Sequence, residues 1–228
     1  RDGSLIPGTE ATYPMVKAGF AIESYIGRVN LTIFDKYLLT GSIRRDASSK
    51  FSPENRVGYF PAAAFAWKIR DEFFKGSPTV TDLKLRLGWG ITGQQDGINW
   101  NYYSPVYYQA GPTARYQFGD VYYYPYRPSA YNSDLKWETT TTYNAGLDYG
   151  FIGNRITGAI DVYLKKTKDL LSYVDIAPGA NFDITQLRNI GSLENKGIEF
   201  SINTIPVRTD DFSWDLGGNF TYNTSTIT

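Results

Sequence analysis

The chain has 228 residues, 42% of them hydrophobic, and its 23 Lys plus Arg balance 23 Asp plus Glu. That composition argues against disorder, a nucleic-acid-binding basic face and an acidic tail. Cysteine and histidine are both absent, which removes disulfide scaffolds, thiolate and imidazole metal sites, and Ser-His-Asp or Cys-His catalysis together.

The start, Arg1-Asp2-Gly3-Ser4, lacks the charged and apolar regions of a signal peptide and reads as mature or cut from something longer. Strand patterning begins with Tyr25, Val29, Leu31 and Ile33 on one face against Arg28, Asn30 and Thr32. After Asp35-Lys36 it returns through Tyr37, Leu39, Gly41 and Ile43 against Thr40, Ser42 and Arg44. A third strand carries Val57, Tyr59, Ala63, Phe65, Trp67 and Ile69. Residues 70–80 hold at most a turn of helix. A fourth strand sets Leu83, Leu85, Leu87, Trp89 and Ile91 against Lys84, Arg86, Gly88, Gly90 and Thr92. Its Gly88-Trp89-Gly90-Ile91-Thr92-Gly93 is no nucleotide fingerprint, because the glycines lie in an alternating strand with no helix after it.

A long connection, 94–136, follows, and then Tyr143, Ala145, Leu147, Tyr149 and Phe151 alternate toward a hairpin turn centred on Gly153-Asn154. The sixth strand is the clearest, with Ile156, Gly158, Ile160, Val162 and Leu164 against Asp161, Tyr163 and Lys165. Ile198, Phe200 and Ile202 form a seventh, and Phe212, Trp214, Leu216, Phe220 and Tyr222 an eighth. The residues from Asn223 to Thr228 read as an interruption rather than an end. The expectation is an all-β, antiparallel meander.

The connections measure roughly 2, 10, 12, 43, 3, 29 and 6 residues, the odd ones mostly short and the even ones mostly long, with the 12-residue connection from Arg70 to Thr81 the exception. No run reaches the ~18 apolar residues of a membrane helix. A barrel hides its hydrophobicity in alternate residues, however, and tolerates a mean hydropathy of -0.36. Short turns on one side and long loops on the other are the habit of outer-membrane barrels. Alternation alone suits a soluble β-sandwich equally well. Aromatic placement favours the barrel: Trp67, Trp89, Trp137, Tyr149, Phe151, Phe212, Trp214 and Tyr222 fall near strand ends on the apolar face, as girdles do. With the long loops outside the cell, both chain ends lie outside too, and the eight strands are part of a larger barrel.

The connection 94–136 holds ten of the 19 tyrosines, and it offers Trp100, Tyr102, Tyr103, Tyr107, Tyr108, Tyr116, Tyr122, Tyr123, Tyr124 and Tyr126 in close succession. Such rings stack on sugars, dock a protein partner, or pack on each other to hold the loop folded; these are the candidate ligand- or partner-binding residues. The polar faces carry Arg28, Arg44, Lys68, Lys84, Arg86, Arg155 and Lys165 against Glu138, Asp148, Asp161, Glu199 and Asp215. This mixed lining suits a neutral substrate or mutual ion pairing better than an anion pore. Asp134 and Asp210-Asp211 match no calcium loop, and no carboxylate pair matches a glycosidase. Neither metal, cofactor nor enzymatic activity is expected.

The stretch Asp35-Lys36-Tyr37-Leu38-Leu39-Thr40-Gly41-Ser42-Ile43-Arg44-Arg45-Asp46-Ala47-Ser48-Ser49-Lys50-Phe51 resembles a segment of the SusC/RagA-like TonB-dependent transporters of the bacterial outer membrane. So, in order, do Phe60-Pro61-Ala62-Ala63, Gly90-Ile91-Thr92-Gly93-Gln94-Gln95-Asp96-Gly97, Leu135-Lys136-Trp137-Glu138-Thr139-Thr140 and Asn189-Ile190-Gly191-Ser192-Leu193-Glu194-Asn195-Lys196-Gly197. The resemblance implies a barrel of about 22 strands with a plugged lumen in the outer membrane of a Gram-negative bacterium. It also implies import of an oligosaccharide or peptide, driven by the TonB complex beneath a SusD-like surface lipoprotein. Residues 1–228 would then be barrel wall, with the plug and the closing strands elsewhere. An outer-membrane barrel that only binds or adheres is the alternative, and a soluble carbohydrate-binding sandwich a further one.

Overall fold

The computed structural model describes residues 19–100, 102–179 and 183–228; the Arg1-Asp2-Gly3-Ser4 start lies outside them. Eight long antiparallel strands form one sheet in the order β1 (Ile22–Ile33), β2 (Tyr37–Ser48), β3 (Val57–Lys68), β4 (Val80–Gln94), β9 (Glu138–Phe151), β10 (Ile156–Lys168), β13 (Ser192–Arg208) and β14 (Ser213–Ile227). Neighbours in the sheet are neighbours in the chain, so it is an up-and-down meander. A four-residue helix, α1 (Arg70–Phe73), interrupts the connection from β3 to β4. The remaining strands belong to two long connections: β5 (Tyr107–Gln109), β6 (Tyr116–Phe118), β7 (Val121–Tyr123), β8 (Tyr126–Pro128), β11 (Leu171–Asp175) and β12 (Thr185–Asn189).

The register turns the alternation of each strand into a property of the whole sheet. Leu31, Leu39, Phe65, Leu87, Ala145, Val162, Ile198 and Tyr222 stand opposite one another in a row that crosses all eight strands. The next row on that face is Ile33, Tyr37, Trp67, Leu85, Leu147, Ile160, Phe200 and Phe220. The opposite face presents Thr32, Leu38, Ala66, Arg86, Gly146, Asp161, Glu199 and Thr221. Among the described residues no second sheet covers the apolar rows: Phe220 and Tyr222 are each 62% exposed. An apolar face of this extent left open in water is a liability, and in lipid it is solvated. The single sheet overturns the sandwich alternative. From Tyr143 to Phe151 the outward side chains of β9 cover ~27 Å of strand, comparable with the ~25 Å apolar band of a membrane barrel.

Short connections lie at one edge. Phe34 and Asp35 both take positive φ (51° and 57°) between β1 and β2, and Gly153 and Asn154 (both 62°) do so between β9 and β10. These values match the twist of the flanking strands. Aromatic side chains gather at this edge: Tyr37 lies 6.2 Å from Trp67, Trp67 lies 5.9 Å from Phe73, and Tyr149 lies 5.8 Å from Phe151. Tyr37 Oη and Trp67 Nε1 both donate to Glu72 in α1, at 2.7 and 2.9 Å, and these two donors hold the Glu72 carboxyl below its usual pKa.

Three expected girdle positions differ. Trp89 pairs with Tyr143 inside the sheet and Tyr222 with Ile198, both away from strand ends. Trp137 does not face outward at all: it precedes β9 and is buried, with Phe51 and Phe60, at the long-connection edge. Pro61 contributes to that inward fold. It lacks an N–H, the β3–β4 ladder stops at Ala62–Gly90, and the ring of Phe60 occupies the space that a side chain at Gly58 or Gly93 would need.

Candidate functional site

The buried hydrophobic residues gather at the long-connection edge. Phe51, Phe60, Ile98, Leu135, Trp137 and Leu187 form one cluster, drawing on all three connections at that edge, 49–56, 95–137 and 169–191. Trp137 lies 5.0 Å from Phe51 and 5.4 Å from Phe60, and its Nε1 donates to the Arg56 carbonyl at 3.1 Å. This core gives the loops a fixed base.

Above it the tyrosine-rich connection rises as an arm. β5 pairs with β8, and β6 with β7 farther out, around Gly119 at φ 61°. The second long connection forms a hairpin of β11 and β12. The two lean on each other through several bonds. Tyr102 Oη and Tyr173 Oη are 3.0 Å apart. Ala130 N and Arg127 Nη1 donate to Asp183 at 2.6 and 3.2 Å. Asn132 Nδ2 donates to the Leu187 carbonyl at 3.1 Å, and Asn189 exchanges two bonds with the backbone of Lys136 at 3.0 and 2.8 Å. Between them lies a cavity of about 240 Å³ lined by Tyr102, Tyr108, Ser129, Ala130, Tyr173, Asp183, Ile184, Thr185 and Leu187. The hydrogen bond with Tyr102, helped by burial, raises the pKa of Tyr173, so its hydroxyl stays protonated and able to donate.

The ten predicted residues separate into groups. Tyr102 and Tyr108 line the cavity; Trp100, Tyr103 and Tyr124 are half-buried elsewhere in the arm. Tyr116 and Tyr126 line a groove of about 440 Å³ near its outer end together with Arg115, whose guanidinium sits 3.8 Å above the ring of Tyr122. Tyr123 meets Phe118 edge-on at 5.6 Å. Tyr107 is exposed on β5. Tyr173 and Asp183 are the residues that the sequence did not single out. Their one local signal is Pro178-Gly179, a turn pair between two short polar and apolar alternations.

On the polar face of the sheet, Arg86 makes the central contact. Its guanidinium donates to Asp148 at 2.8 Å and bridges Asp161 at 2.9 Å, while Lys84 adds a 2.8 Å bridge to Asp148. Arg86 stands opposite Gly146, and Gly146 opposite Asp161. Any side chain at 146 would stand where the guanidinium crosses. Four charges of this face, Lys84, Arg86, Asp148 and Asp161, therefore pair with one another near its centre. Asp210 and Asp211 sit in the β13–β14 turn, which Thr209 and Phe212 close by a 2.8 Å backbone bond.

Comparison with known proteins agrees with this geometry. Residues 5–228 match the family model described as "TonB dependent receptor-like, beta-barrel". Over 91% of its length the chain is 53% identical to the TonB-dependent receptor SusC of Bacteroides thetaiotaomicron, of which it covers 21%. Over 86% it is 42% identical to the TonB-dependent receptor P26 of Formosa agariphila, of which it covers 20%. The solved structure of the RagAB peptide transporter superposes with a TM-score of 0.81 at 27% identity, covering 92% of this chain and 22% of that one. The chain thus spans about a fifth of the length of the relatives it matches.

Proposed function

The chain belongs to the TonB dependent receptor-like β-barrel family of the bacterial outer membrane, and on that premise we propose that it is a wall sector of an importer of oligosaccharides or peptides. In this reading the apolar rows face lipid, the polar face lines the lumen, and the long connections stand outside the cell. A SusD-like lipoprotein covers them, and the plug and the TonB-coupling segment lie outside residues 1–228. The similarity to SusC and to the RagAB peptide transporter supports both the activity and the substrate classes.

The observation that carries the site is the tyrosine-lined cavity between two loops bonded to each other on a shared core. At about 240 Å³ it is smaller than a typical drug-sized pocket and takes one sugar ring or one peptide side chain. The ring of Tyr108 offers a stacking face, and the hydroxyls of Tyr173 and Ser129 and the carboxylate of Asp183 offer hydrogen-bonding groups. Such a cavity grips part of a longer nutrient while the rest extends along the cleft. Tyr108→Ala in the full-length protein is expected to raise the half-saturating nutrient concentration roughly 3- to 10-fold with little change in maximal uptake. Tyr108 is the residue to test because Tyr102 also supports the loop core. Unchanged uptake would remove this cavity from the substrate path, and surface binding without any uptake would indicate a barrel that only binds.

A further inference from the structure

At the margin of the apolar band, on the long-connection edge, the outward face changes character on two adjacent strands. Outward positions on β10 run Ile156, Gly158, Ile160, Val162 and Leu164, and then become Lys166 and Lys168. On β13, Lys196 stands opposite Leu164 and Glu194 opposite Lys166. Lys166 and Lys196 are therefore diagonal neighbours, ~7–8 Å apart at Cα, and Lys168 is ~6.6 Å farther along β10. One carboxylate serves this group. Glu194 lies 3.5 Å from Lys166 Nζ and 3.8 Å from Lys196 Nζ, and those lysines stay 50% and 64% exposed. Flanking outward positions are hydroxyls: Thr139 and Thr141 on β9, Thr224 and Thr226 on β14.

Lys196 sits level with Leu164, and Lys166 and Lys168 lie one and two outward steps past it, toward the edge that faces the outer leaflet in this orientation. Three ammonium groups against one carboxylate, ringed by hydroxyl donors, make a receptor for phosphate presented at a membrane surface. We propose that Lys166, Lys168 and Lys196 bind the phosphate of a phosphorylated lipid headgroup in the outer leaflet, fixing an annular lipid to this side of the barrel. The inference rests on the barrel and its orientation, not on import.

The test uses the full-length protein extracted from its own outer membrane, with co-purifying phosphorylated lipid counted by native mass spectrometry. Wild type is expected to retain it, and the triple variant Lys166→Gln, Lys168→Gln, Lys196→Gln to retain at least ~tenfold less. Lys165→Gln, on the lumen face of the same strand, should match wild type, and Glu194→Gln, which removes the competing acid, should retain more. In nanodiscs, phosphatidic acid should raise the unfolding midpoint of wild type but not of the triple variant. Equal retention by all variants would overturn the proposal, as would equal stabilisation by diacylglycerol, which lacks the phosphate, or by inorganic phosphate. Uptake is scored separately: lost import with intact lipid retention counts against the transport reading alone.

Discussion

Ile160→Arg is expected to destabilise the folded protein in a bilayer by about 2–4 kcal/mol. Ile160 lies at the middle of the outward run from Ile156 to Leu164 on β10, between Leu147 and Phe200 in the apolar row. A guanidinium there must leave water for hydrocarbon or drag water and headgroups inward, and the cost is greatest at the midplane. The control is Thr221→Arg, on the opposite face and across from Glu199. There the new charge meets water and a carboxylate, and the effect should stay within about 0.5 kcal/mol. Folding titrations in lipid vesicles read both. Equal losses at the two positions would mean that the apolar face does not meet lipid.

Trp137→Ala should have the second largest effect, with a different reach. The indole is 8% exposed, packs on Phe51 and Phe60, and satisfies the carbonyl of Arg56. Its removal is expected to cost about 3–5 kcal/mol. That loss falls on the loop core, because the strands are held by their own ladders. Hydrogen exchange should therefore rise in the connections 95–137 and 169–191 while the sheet stays protected. The loop cavity should be lost with it, so nutrient affinity falls in a protein that still inserts. Unchanged exchange in the loops would show that they stand without the shared core.

All eight long strands and the Gly153-Asn154 turn were legible in the sequence because a sheet with one lipid face and one polar face writes its period of two directly into each strand. What lay outside the strands was not. Trp137 shares the numbering parity of the outward residues Thr139, Thr141 and Tyr143, so alternation placed it outside. It precedes the strand, however, and outside a ladder parity no longer determines direction. The role of Gly146 is visible only once the register sets it between Arg86 and Asp161. The tyrosine anomaly of 94–136 marked the right loop, yet half of the cavity comes from Tyr173, Asp183 and their neighbours, more than forty positions later. Contacts between loops leave no periodic trace.

Cysteine labelling reads directly whether the long connections face outside and the short turns face the periplasm. These 228 residues contain no cysteine, so single replacements at Gly119, in the β6–β7 turn, and at Asn154, in the β9–β10 turn, introduce unique reporters once any others in the full-length protein are replaced. On intact cells a membrane-impermeant maleimide should label the cysteine at 119 and leave that at 154 unmodified until the outer membrane is permeabilised. Labelling at 154 but not at 119 on intact cells would mean that the barrel sits the other way round in the membrane.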